Sequence, residues 1–240
     1  MTPEQSAVRR LRRLGRALDD AVADEVLEQG AARLRLLGEG VPAIVAGLAR
    51  LAPRATRSVW NLQPQYAFDP ADQGFELTDA ARARGLDLTL VTTPVSARRN
   101  PLLGSIHPET RVGPVFTQGL LVDDRLMVVG GPRSAAGAAT AWTSVDPELV
   151  SRMREIWELT VQLSEPLVRE DTPVLDRRRL EVACLIARGE TDQAMARRLE
   201  VSLRTVERDV QAVLQFLGAR GRAEAVLVMR GRGVNGGEPL

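Results

Sequence analysis

Residues 191–217 read TDQAMARRLEVSLRTVERDVQAVLQFL, and the spacing predicts two helices with a tight turn between them. Thr191 is placed to cap a short helix reaching Leu199. Glu200 and Val201 fill the turn, and Ser202 is placed to cap a longer helix reaching Leu217. A hydroxyl at such a position accepts from amides of the first turn, which have no partner inside the helix. Leu203, Val206, Val210, Val213, Leu214 and Leu217 gather into one stripe at 3.6 residues per turn. Arg204, Arg208, Gln211 and Gln215 fall on the other side, at i, i+4, i+7 and i+11. A solvated helix usually mixes Glu with Lys there. This one presents guanidinium and carboxamide groups, which form paired hydrogen bonds with guanine and adenine edges. The grammar is that of a helix-turn-helix.

Working outward to Leu175–Val226, the stretch resembles the DNA-binding domain of LuxR-type transcription regulators. That pattern is Leu-Thr-x-x-Glu-x-x-Val-Leu, a Gly, a capped short helix, Ser-x-x-Thr-Val and Leu-Gly-x-x-Ser-Arg. Leu175, Glu181, Gly189, Ala196, Leu199, Ser202, Thr205, Val206, Leu217, Gly218 and Arg222 fall in register with it. Three positions depart: Ala194 stands for a Glu, Glu207 for a Lys, and Gly221 for a Ser. Glu207 removes a cation, so the operator sequence of better-known relatives does not carry over. The resemblance and the exposed row together nominate Thr191, Gln193, Arg198, Ser202, Arg204, Thr205, Glu207, Arg208, Gln211 and Gln215 as the DNA-contacting set. Within it Arg208 is expected to read a base, guanine by preference, while Thr205 and Arg198 anchor phosphates.

The whole chain of 240 residues has a net charge of only +1, so any nucleic-acid face must be local. From Pro173 to Arg232 there are twelve arginines against eight acids, a basic module on a body that is slightly acidic. No lysine occurs among the 32 cations. That excludes a Walker A loop, a Schiff-base site and a receiver-type phosphoacceptor site, all of which need one. Cys184 is the single cysteine and is expected to pack in a helix. No apolar run reaches the length of a membrane span and the start lacks an apolar signal core, so the expected location is the cytoplasm, with no membrane partner.

Residues 4–29 read as one helix. Val8, Leu11, Leu14, Leu18, Ala21, Val22 and Val26 line one side. Arg9, Arg10, Arg12, Arg13 and Arg16 fill its first half, and Asp19, Asp20, Asp24, Glu25 and Glu28 its second. That order opposes the helix macrodipole, and pairing with an antiparallel copy, each Arg-rich half beside an acidic half, would compensate it; the alternative is a helix packed on its own domain with its charges in solvent. Helices are expected at 42–51 and 77–84, strands at 58–62, 86–92 and 138–143, and loops at 63–73 and 95–108. Gly119–Val129 reads as a hairpin turning at Asp123-Asp124. Asp146 caps a helix carrying Leu149, Met153, Ile156, Trp157, Thr160 and Leu163 on one face, and 170–173 form a hinge.

The hairpin carries a second resemblance. Residues 116–131, FTQGLLVDDRLMVVGG, are similar to the phospholipase D signature of His, one residue, Lys, four residues, Asp. Phe116 stands for the His, Gln118 for the Lys, and Asp123 remains. The family's nucleophile is the His, so the resemblance implies no phosphodiesterase here. The helix around Ile156 and Trp157 resembles the end of effector domains in TrmB-like and actinobacterial LuxR-type regulators. His107 is expected to be a solvated loop residue, not a metal ligand, as are Arg98, Arg99 and Asn100. Trp60, Tyr66 and Asp69 are residue types that anchor ligands in acyl-homoserine-lactone receptors, at the wrong spacing; Trp60 is expected in the core.

The expected fold class is α+β: a mixed α/β effector domain followed by an all-α, four-helix LuxR-type helix-turn-helix domain. The expected divisions are 1–30 (N-terminal dimerisation helix), 31–168 (phospholipase D-like effector domain), 169–174 (linker) and 175–234 (DNA-binding domain). The expected function is that of a non-enzymatic, sequence-specific transcription regulator, with no cofactor and no metal. Its expected partners are double-stranded DNA, a second copy on a two-fold-symmetric operator, RNA polymerase and a small-molecule effector of unknown binding site. The alternative is a regulator acting mainly through protein contacts with the transcription machinery.

Overall fold

The computed structural model describes residues 2–28, 32–70 and 74–231. The end of the expected first helix at Gln29, the division at 30 and 31, the end of the 63–73 loop and residues 232–234 lie outside them. In chain order the elements are α1 (Pro3–Leu27), β1 (Arg35–Glu39), α2 (Val41–Leu51), a 3-10 turn (Ala52–Arg54), β2 (Ser58–Gln63), α3 (Gly74–Ala83), β3 (Asp87–Thr92), α4 (Pro94–Arg99), α5 (Leu103–Ile106), β4 (Thr110–Val112), β5 (Gly119–Val122), β6 (Leu126–Gly131), β7 (Thr140–Ser144), α6 (Pro147–Gln162), β8 (Glu165–Pro166), α7 (Arg177–Ala187), α8 (Asp192–Arg198), α9 (Leu203–Leu217) and α10 (Arg222–Met229). This is a mixed α/β domain followed by four helices, as expected. Among the described residues no helix is long and apolar enough to cross a membrane.

The chain separates into two units. The first comprises 1–64, 73–93 and 111–166, and the second 65–72, 94–110 and 167–240. In the first, eight strands form one sheet in the order β1-β7-β6-β5-β2-β3-β4-β8. β2 and β3 run parallel, whereas β2–β5, β5–β6, β6–β7 and β1–β7 are antiparallel. Alternation along each strand sends its residues to opposite faces. Leu62, Leu121, Met127 and Val129 join a core with Leu11, Leu18 and Val22 of α1 and Leu149, Met153, Ile156 and Trp157 of α6. Val59, Leu88 and Val122 face the other way, against Ala55, Ala81 and Leu86. Trp60 stacks on Trp157 with ring centroids 5.1 Å apart and planes 6° from parallel, and its indole donates to Asp87 Oδ2 at 3.0 Å. The helix starts follow the sequence: the Asp146 carboxylate accepts from the amides of Glu148 and Leu149, and Pro147 needs no partner at the first position of α6.

The apolar stripe of α1 is buried in its own domain, through Leu11, Gly15, Leu18 and Val22, and so is not a pairing surface. Gly15 sets the approach: a Cβ there would stand 2.4 Å from Thr117 Oγ1, so glycine lets the helix lie this close to the segment that leads into β5. Thr2 and Gln5 form a reciprocal capping box at its start.

The second unit gathers 65–72 and 94–110 with the C-terminal helices, although sequence order places those segments inside 31–168. Side chains stitch them together. Asn100 is buried; its Oδ1 accepts from Phe68 N–H at 3.1 Å and its Nδ2 donates to the carbonyls of Tyr66 and Ser96 at 2.7 Å. Ser105 Oγ accepts from Leu175 N–H at 2.9 Å, and Arg188 Nε donates to Pro70 O at 3.0 Å. The expected solvated loop at 95–108 is therefore two short helices, and neither Asn100 nor His107 is a solvated residue. His107 is buried, edge-on to Tyr66 with centroids 5.7 Å apart and 3.6 Å from a Glu109 oxygen.

Candidate nucleic-acid interface

The short helix begins as its sequence demands, with Thr191 Oγ1 accepting from Ala194 N–H at 3.2 Å. Gln193, Arg197 and Arg198 point to solvent from α8, while Met195 is buried. At its end Glu200 takes a left-handed conformation (φ 55°), and Val201 N–H reaches back to Ala196 O at 3.1 Å. This closure satisfies terminal carbonyls and turns the chain sharply. It is ordinarily made by glycine, because a Cβ is crowded there.

Ser202 then starts α9. Its Oγ accepts from Thr205 N–H at 3.2 Å and lies 2.9 Å from Thr205 Oγ1, so the two hydroxyls sit together where first-turn amides point outward. Val206, Val210, Val213, Leu214 and Leu217 are buried and α9 packs on α7, α8 and α10. Leu203 is not part of that stripe: at 42% exposure it stands in solvent, because the first residue after the cap precedes the turn that meets the neighbours. Arg204, Glu207, Arg208, Gln211 and Gln215 are all exposed. From Arg204 to Gln215 the row runs about 16 Å along the axis. Gly218 ends the helix in a left-handed conformation (φ 64°).

One residue of this helix was not singled out from sequence. Asp209 is only 1% exposed and sits among three arginines. Arg178 Nε of α7 donates to Oδ2 at 2.7 Å, Arg179 Nε lies 3.8 Å from Oδ1, and Arg208 Nε lies 3.6 Å from Oδ1. The Arg178 guanidinium is held above its ordinary value by that hydrogen bond and by the carboxylate charge. Buried charge is tolerated only when paired, and here the pairing ties α9 to α7. It also restrains the inner nitrogen of Arg208 while the side chain as a whole stays 65% exposed. A carboxylate three residues from Val206 on an apolar face is the signal that a partner is needed.

Arg222 locks the fourth helix to the short one: Nη1 donates to Glu190 O at 3.0 Å and Nη2 pairs with Asp192. Two capped helices around a tight turn thus present a row of arginine and glutamine side chains. The family model "Bacterial regulatory proteins, luxR family" matches residues 173–229. Residues 173–229 are a LuxR-type DNA-binding domain. The chain therefore carries a DNA-binding domain of the kind found in LuxR-type transcription regulators, and DNA is the partner of that domain. No curated protein matches the chain in sequence. Among solved structures, the phospholipase D family member Nuc from Salmonella typhimurium is 16% identical over 57% of this chain and 98% of its own (TM-score 0.45). The archaeal chromatin protein TrmBL2 is 16% identical over 67% of each chain (TM-score 0.44). VqmA of Vibrio cholerae is 18% identical over 49% of this chain and 48% of its own (TM-score 0.25).

The LuxR-type domain explains its own departures in part. Gly221 starts α10 without a side-chain cap, and Glu224 instead accepts from Arg220 N–H at 2.8 Å. Ala194 is half-buried in α8 and supplies only its backbone amide to the cap.

In the other unit, Phe116 is half-buried with the Arg12 guanidinium 4.8 Å above its ring, and Gln118 is exposed. Asp123 does more than turn the chain. It and Asp124 adopt φ of 53° and 60°, left-handed positions in the three-residue connection between the paired Val122 and Leu126, and Asp123 is 4% exposed. Its carboxylate accepts from Thr56 N–H and Oγ1, Arg57 N–H and Ser58 N–H at 2.7–3.0 Å. Burial alone would raise its pKa, but these donors outweigh it and hold the carboxyl well below the usual range. An open cleft of about 410 Å³ lies between α1 and the hairpin, with Asp19 and Asp20 on one wall and Gln118, Gly130 and Gly131 on the other. Partial burial there, then the neighbouring Asp20, push the Asp19 carboxyl up to about 6. Among the described residues no group of three or more His, Cys, Asp or Glu side chains comes together to hold a metal.

Proposed function

We propose that this chain regulates transcription by reading a two-fold-symmetric operator as a homodimer, each α9 lying in a major groove. The observation that carries the reading is the unbroken exposed row Arg204, Arg208, Gln211 and Gln215 on a capped helix of a LuxR-type domain. Arg208 is central in it and reads guanine through its terminal nitrogens, its inner one being held toward Asp209. Arg204, Gln211 and Gln215 read flanking bases. Thr191, Gln193, Arg198, Ser202 and Thr205 surround the two helix starts and the end of α8, and anchor phosphates. Glu207, exposed beside Arg208, accepts from a cytosine amino group or excludes other bases by repulsion. The first unit contributes regulation and no phosphodiester chemistry, since Phe116 offers no nucleophile and Gln118 no cation.

Selection of bound sequences from a random DNA library by the full chain tests this. A palindromic motif is expected, and the Arg208→Ala protein is expected to lose preference at one position of each half. Binding that ignores sequence in both proteins would overturn the reading and point to regulation through protein contacts.

A further inference from the structure

The solvent face of α1 is a self-complementary ridge. Directly opposite its buried residues Leu11, Gly15, Leu18 and Val22 stand Arg9, Arg13, Arg16, Asp20 and Asp24, all exposed. At i, i+4, i+7, i+11 and i+15 they form one line along the helix. Its first half is positive and its second half negative. Other arginines of this unit are satisfied within the chain: Arg10 by Glu155 at 2.6 Å, Arg33 by Glu25 at 2.6 Å, and Arg152 by Glu148 at 2.5 Å. Among the described residues none of the five ridge residues has an ion-pair partner in the chain. The order also sets cations toward the positive end of the helix dipole and acids toward the negative end.

We infer that this ridge docks on the same ridge of a second copy, antiparallel about a two-fold axis between Arg16 and Ala17. In that register Arg9 meets Asp24 of the second copy, Arg13 meets Asp20, and each pair occurs twice, as an isologous interface requires. A nucleic acid would engage only the arginine half and be repelled by the acidic half; a second copy uses both and offsets both dipole conflicts. The ridge is thus the dimerisation surface of the homodimer proposed above, and it rests on that reading.

The experiment is sedimentation of the full-length protein at low salt, where screening is weak (roughly 0.05 M). Arg9→Glu with Arg13→Glu makes both paired positions acidic at each end of the ridge, leaving only Arg16 at the axis basic; Asp20→Arg with Asp24→Arg makes the ridge wholly basic. Every altered side chain is exposed, so unchanged melting confirms that each variant folds. Each alone is expected to associate more weakly than the parent, on the order of tenfold or more, because every attractive pair becomes repulsive. An equimolar mixture is expected to restore the dimer, since acidic then faces basic at all four 9–24 and 13–20 pairs. If the variants dimerise as the parent does, this interface is wrong while the homodimer stands. A parent that is monomeric at every concentration overturns both. An acidic variant that stays dimeric but loses affinity for every DNA sequence overturns the inference in favour of a phosphate contact.

Discussion

At Glu200 a charged residue sits where the backbone favours glycine (φ 55°). Glu200→Gly is expected to stabilise the LuxR-type domain by up to about 1 kcal/mol, relief of the crowded Cβ outweighing the added freedom of the unfolded chain; a higher melting temperature checks this. Asp123 has the opposite sensitivity. Replacing it by Asn keeps one oxygen for the amides of 57 and 58 but removes the charge and puts an amide nitrogen where Oδ2 accepts from Thr56 N–H and Oγ1, and should cost about 2–4 kcal/mol at pH 7. Its folded pKa is depressed, so its contribution is complete above the ordinary carboxylate value near 3.9 and is lost as pH falls below that toward the folded value. The stability difference between parent and Asp123→Asn should therefore shrink between about pH 4 and pH 2. Asp19 runs the other way. Its folded pKa is raised to about 6, so its ionised form weakens the fold as pH rises through that value. Asp19→Asn is expected to raise the melting temperature at pH 8 and to leave it nearly unchanged at pH 4.

In the proposed mode of binding, the two helices of the LuxR-type domain divide the labour. Arg208 lies in the middle of the α9 row, so Arg208→Ala should cost about 1–3 kcal/mol on the preferred operator and little on random DNA. Arg198 lies at the end of α8, and its loss should weaken all sequences alike and reduce the salt slope by about one. Equal losses on operator and random DNA for both variants would contradict that division. Asp209→Ala removes the carboxylate that holds α7 on α9 and should destabilise the domain by about 1–3 kcal/mol, since the arginines it leaves are partly exposed. These elements were legible because hydroxyl caps, left-handed turn positions and a 3.6-residue stripe are local properties. Asp209 was not, because its partner Arg178 is 31 residues away. The helical character of 94–106 was hidden for a similar reason: Ser96 and Asn100 take their partners from residues 66 and 68.

For the molecule as a whole, the axis inferred on α1 places Ala17 beside its own copy. In a Cys184→Ser background, Ala17→Cys is expected to crosslink between subunits under mild oxidation. Gly15→Cys is not, since position 15 is buried against Thr117 and its altered side chain would also disturb the packing. Crosslinking that was equal at both positions would argue against the ridge.

The sequence by itself determined the LuxR-type domain, the hairpin at Asp123-Asp124 and the absence of the phospholipase nucleophile, because each depends on residue type at short spacing. Segregation of charge along α1 was equally plain. Tertiary structure alone decided which face of that helix remains available. An apolar stripe fits a sister helix or its own sheet equally well, and the choice falls to the apolar floor that β5, β6 and α6 assemble beneath it. Once that floor takes the stripe, the charged ridge is the face of α1 left exposed, and it is there that the inferred pairing must form. The same holds for Asp123, whose type suits a turn, but whose buried carboxylate organises residues 56–58 only because the sheet brings β2 alongside β5.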